Sequence, residues 1–175
     1  MRNFILGIVV TLISAALVIY VVGHFGFIDM RADQQPWRLE TSFAGGAMDA
    51  STQRHAPHVK NPIEPTDANL QEGMKIYVTY CAQCHGDPAT PASALGKAEY
   101  PPAPQFLHDP ADMPENQNFY IIEHGVRLTA MPGWEGVLNQ DQTWKVTTFL
   151  SHMDKLPSAV EKEWKANPGQ LSLAH

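Results

Sequence analysis

The sequence predicts an all-α protein: one apolar helix at the N-terminus, then a small, loop-rich domain of three or four helices. Three observations carry that prediction. Residues 4–23 contain no charged side chain. No later segment alternates apolar and polar residues as a half-buried strand does. From residue 66 onward, apolar positions recur at spacings of three and four between helix-start and helix-stop residues.

The first element is the run Phe4 to Gly23, twenty residues long. At ~1.5 Å per residue, roughly 20 apolar residues cross the ~30 Å hydrocarbon core of a bilayer. Arg2 in front of the run also suits a cleaved signal peptide. Such a peptide has an apolar stretch of only about 7–15 residues and ends at a small-x-small site. Here the good small residues, Ser14, Ala15 and Ala16, lie inside the run, so residues 1–28 are expected to be a cytoplasmic tip and retained transmembrane anchor. The positive-inside tendency keeps Arg2 in the cytoplasm and sends the rest of the chain outside.

Residues 29–65 show no sustained period and contain Gly45-Gly46 and four prolines, so they read as an extracytoplasmic linker. Trp37, Leu39, Phe43 and Met48 are too many apolar residues for a purely flexible tether. Parts of it are expected to lie against the domain, the membrane or another subunit.

The domain proper is expected over residues 66–157. Pro65-Thr66-Asp67 is a helix start, and Leu70, Met74, Tyr77 and Cys81 then line one helix face. Residues 86–115 are proline-rich and read as a long wrapping loop, of the kind that surrounds a ligand. A short helix follows over Glu115 to His124, with Phe119 and Ile122 inward and Gly125 as its stop. After a second loop, Asn139 and Gln142 form a capping-box pattern that opens a helix to about Lys155. Residues 158–175 are a C-terminal tail, with a polar helix over Ser158 to Asn167 whose one large apolar residue, Trp164, predicts loose packing.

The net charge is −6, and between Asp67 and Ser158 eleven acidic residues face five basic ones. That balance excludes nucleic acid as a partner, since its binding needs basic patches.

The chemistry centres on Cys81-Ala82-Gln83-Cys84-His85, which holds both cysteines of the chain. Thioredoxin-like redox chemistry needs this pattern beside a strand and helix of a βαβ unit, and none is predicted. Structural zinc wants four ligands, and no second pair stands at finger spacing, although His55 and His58 in the linker could supplement a site. A disulfide across two residues would staple almost nothing. The remaining use of C-x-x-C-H is covalent attachment of a c-type haem. On a helix the two thiols project to one side, towards the vinyl groups, and His85 follows as proximal iron ligand. A cofactor also suits a domain whose side-chain core is thin for its amount of loop.

The sequence here resembles the class I c-type cytochromes, small single-haem domains, in this case with a membrane anchor. The residues that carry the resemblance are Gly73, Tyr77, Cys81 to Gly86, Pro101-Pro102-Ala103-Pro104, the stretch Gly125 to Trp134, and Trp144, Thr148, Phe149 and Leu150. It implies a cytochrome c fold around one covalent haem, with the first and last helices crossing at Gly73, Tyr77 and Trp144. It also implies a methionine as second axial ligand, and Met131, 46 residues after His85, is the matching position. Met113, His108 and His124 are its rivals. Arg127 either bonds a haem propionate or is a solvated loop arginine, while Tyr100 and Trp134 pack near the haem.

The implied function is one-electron transfer between redox proteins at the periplasmic face of a bacterial inner membrane, by a single-pass protein that is not itself an enzyme. The alternatives are a fixed haem subunit of a larger membrane oxidoreductase or respiratory complex, and, further off, a haem enzyme or gas sensor.

Overall fold

A computed structural model describes residues 1–166. Among these residues every regular element is a helix. The chain divides into two compact units, residues 1–32 and residues from 33 onward.

The first unit is built on α1 (Arg2–His24), a helix of 23 residues that spans about 34 Å at helical rise. Every side chain but one along it is exposed, and by length and composition it is the one helix among the described residues that fits a membrane crossing.

The second unit begins with α2 (Arg38–His55), which falls where the sequence shows no sustained period. Its stability comes from docking on the domain rather than from its own pattern. Thr52 and Ala56 are buried, His55 stacks on Tyr120, and Glu40 accepts a 2.6 Å hydrogen bond from the Tyr100 hydroxyl. Beyond it, Asn116 donates to the Pro57 carbonyl at 3.0 Å and Asn61 donates to Thr148 Oγ1 at 2.7 Å. The segment from Glu40 to Asn61 is therefore tied to the domain instead of forming a free arm.

The framework of the domain is α3 (Asp67–Tyr80) packed against α7 (Gln140–His152). Both starts follow the sequence: Thr66 caps α3 by accepting from Asn69 N, and Asn139 and Gln142 make a reciprocal capping box. The two helices touch at Gly73, where a Cβ would run into the Lys145 carbonyl and the Phe149 side chain. Tyr77 is at this crossing as expected, but its aromatic partner from α7 is Phe149 rather than Trp144; Trp144 stacks on Phe119 of α6 (Glu115–His124) with ring centroids 4.0 Å apart. Three buried threonines of α7, Thr143, Thr147 and Thr148, satisfy their hydroxyls on carbonyls four residues back, so they enter the core without an unpaired polar group.

The last described helix, α8 (Ser158–Ala166), packs more tightly than its sequence suggests. Val160 and Trp164, four apart on one face, are both buried. Trp164 meets Phe149 and Tyr77 edge-on at 5.2 and 5.7 Å, completing a three-ring cluster over the α3–α7 crossing. The rest of the tail lies outside the described residues.

Candidate cofactor site

At the end of α3 the chain breaks at Cys81 and resumes as the single turn α4 (Ala82–His85), which places Cys81, Cys84 and His85 together. This turn is caged by side chains that reach its backbone. The Tyr77 hydroxyl donates to the Gly86 carbonyl at 3.0 Å, and Gln105 Nε2 donates to the Cys84 carbonyl at 2.9 Å. Ser93 Oγ donates to the Gln83 carbonyl. Gln105 Oε1 also accepts from Ser93 N at 2.7 Å, tying the two cage residues to each other. The proline-rich stretch is thus a wrapping loop, with one short helix, α5 (Ala94–Ala98), pressed on the turn. That contact requires Gly96, because a Cβ there would overlap the Cys84 carbonyl.

His85 is buried, its ring stacks on Phe106 at 4.7 Å, and its Nδ1 lies 2.8 Å from the Pro104 carbonyl. A carbonyl only accepts, so Nδ1 carries the hydrogen and Nε2 keeps its lone pair. This is the outer-sphere bond that orients metal-binding histidines. Burial lowers the pKa of His85, against the opposing pull of the Pro104 carbonyl and Glu99, which favours the neutral ring. Both thiols move the other way. Burial, then Cys84, pushes the Cys81 thiol up to about 12; burial, then Glu99, pushes Cys84 up to about 11. Thiols in disulfide exchange are activated by a lowered pKa, so these two lack the tuning of a redox-active pair. Nor do three or more His, Cys, Asp or Glu side chains gather as a metal site among the described residues.

Met131 sits in a loop fastened to the C-terminal end of α6. Val126 N donates to the Met131 carbonyl at 3.1 Å, while Trp134 N and Glu135 N donate to the Ile122 and Glu123 carbonyls, each at 3.1 Å. Thr129 Oγ1 bridges the loop, donating to the Val126 carbonyl and accepting from Met131 N. Gly125 has a φ of +71°, and a Cβ on it would meet the Pro132–Gly133 backbone. The Met131 side chain is half-buried against the hydrophobic core that also contains Ala82 of α4.

Arg127 is exposed beside the loop tip, next to Leu128 with its φ of +61°. Among the rivals to Met131, His108 is exposed and Met113 is half-buried ahead of α6. His124 is turned to Glu123 and Glu135, at 3.4 and 3.9 Å. Trp134 leans on Tyr80, the residue before Cys81, at 5.2 Å, and its indole nitrogen is buried with no hydrogen-bond partner. A buried donor without an acceptor is what a polar group of a bound cofactor would satisfy. With the free Nε2 of His85 and two neutral thiols on one turn, the donor set fits a c-type haem.

Residues 68–150 match the family model described as cytochrome c oxidase, cbb3-type, subunit III. This stretch is a c-type cytochrome domain, consistent with the class I single-haem family that the sequence resembles. Its role is electron transfer, and its cofactor class is haem. The match takes in the Cys81–His85 turn, the Met131 loop and most of α7, and leaves α1, α2 and α8 outside the matched residues. None of the curated proteins searched matches the chain.

Proposed function

We propose that the protein is a membrane-anchored cytochrome that carries single electrons between redox proteins at the periplasmic face of an inner membrane, using one covalently held haem. The caged Cys81–His85 turn, with the lone pair of His85 Nε2 left available, is the observation that carries this reading. Haem c, when bound, supplies a one-electron couple, and His/Met ligation raises its potential. Cys81 and Cys84 would hold it covalently through their sulfurs. His85, oriented by the Pro104 carbonyl, would supply one iron ligand, and Met131, carried by the pinned 125–135 loop, would supply the second. A haem so held would have both ligands from the chain itself, which suits electron transfer rather than substrate binding. Arg127 is in this reading a propionate contact, and α1 stays in the bilayer as anchor.

A second reading, the fixed haem subunit of a larger oxidoreductase, is favoured by α2. Its clamp through Glu40 and His55, continued by Asn61 just beyond the helix, leaves residues 25–37 as the stretch without a helix between α1 and the docked segment. That is a short lead rather than a long swinging arm. Purification in mild detergent, with a redox spectrum and identification of co-purifying chains, tests both. A low-spin c-type spectrum is expected for the protein, and a stable set of partner subunits selects the second reading. Carbon monoxide binding to the reduced protein without denaturation would overturn the six-coordinate assignment.

A further inference from the structure

Trp37, Leu39 and Phe43 form an apolar patch at the N-terminal end of α2, with exposures of 75, 78 and 77%. Leu39 and Phe43 are four residues apart and share a helix face. The neighbouring face is committed to the domain through Glu40, Thr52 and His55. The patch therefore belongs to a helix that is already docked, and its large side chains are not waiting to fold inward.

We infer that this patch rests in the headgroup layer of the bilayer that α1 spans, holding the cytochrome domain against the membrane in one orientation. The inference deepens the proposed function and rests on α1 being a retained anchor. Two observations select lipid as the occupant. Only twelve residues lie between His24 and Trp37, so even a fully extended chain keeps Trp37 within about 45 Å of the end of α1. Charge points the same way: residues 25–55 hold three basic and four acidic residues, against five and eleven between Asp67 and Ser158. The near-neutral α2 end can approach a membrane surface that the acidic domain avoids. A tryptophan flanked by aliphatic and phenyl side chains is also the composition that settles at the membrane–water interface. Since α2 is clamped to the domain through Tyr100 and Tyr120, seating the patch fixes which side of the domain faces away from the membrane.

The test uses the full-length protein in nanodiscs of phosphatidylcholine, with and without bromine on the acyl chains near the headgroup. Trp37 is the one tryptophan of four outside the cytochrome domain and α8. Bromine is expected to quench a component of the emission that Trp37→Phe removes. The variant Leu39→Glu/Phe43→Glu is expected to lose that quenching while its haem spectrum is unchanged. Equal bromine sensitivity in wild type and Trp37→Phe, with the protein still held in carbonate-washed membranes, overturns the docking and leaves the anchor standing. Protein released by the carbonate wash overturns the anchor and the docking together. A photo-crosslinker at position 43 that captures a co-purifying subunit in native membranes overturns lipid as the occupant.

Discussion

Replacing Trp164 with alanine tests whether α8 is part of the core that supports the cytochrome site. Trp164 is only 4% exposed and touches both Tyr77 and Phe149, the aromatic residues at the α3–α7 crossing. Truncating a buried tryptophan costs about 3–5 kcal/mol in lost burial and residual cavity, and the ring pairs are part of that figure. A loss of about 4 kcal/mol is a large share of the 5–15 kcal/mol on which a typical domain stands. With a urea dependence of about 2 kcal/mol per molar, the unfolding midpoint falls by about 2 M. Far-UV circular dichroism of the purified protein in urea is the assay. Glu161→Ala on the exposed side of the same helix is the control, expected within about 0.5 kcal/mol of wild type because its pair with Lys165 is solvated. A Trp164→Ala cost below about 1 kcal/mol would mean that α8 is not seated on the crossing, and the argument from the three-ring cluster fails.

Gly73→Ala puts a methyl group against the Lys145 carbonyl, forcing α3 and α7 apart; a loss of about 1–3 kcal/mol is expected in the same urea assay. Gln105→Ala removes bonds to the Cys84 and Ala103 carbonyls and to Ser93 N, with an expected cost of about 1–3 kcal/mol and a lower yield of haem-loaded protein, read from the ratio of haem to protein absorbance. Met131→Ala is expected to keep covalent haem but give a high-spin iron, or recruit His108 or His124, as seen by absorption and electron paramagnetic resonance. If Met113→Ala gives that spectrum instead, the ligand choice is wrong.

What the sequence made legible is what short-range chemistry encodes. The caps at Thr66 and Asn139, the stop at Gly125 and the inward faces of α3 and α6 all depend on neighbours within one or two turns. The Cys81–His85 pattern is local too. Missing from that reading were the parts held by distant partners. Helix α2 has no apolar period because polar and ring contacts to Tyr100, Asn116 and Tyr120, some sixty residues on, hold its segment in place. Ser93 and Gln105 escaped notice because their targets are backbone carbonyls, and a carbonyl carries no residue signature. Trp164 read as an isolated tail residue until Val160, Tyr77 and Phe149 came together around it.

Mass spectrometry of the proteolytic peptide that contains Cys81, Cys84 and His85 tests the central claim most directly. From protein matured in an exporting bacterial host, the peptide is expected to carry one haem, retained through acid–acetone extraction and bonded at both sulfurs. A peptide recovered at its unmodified mass, with both thiols free to alkylate, would contradict the account.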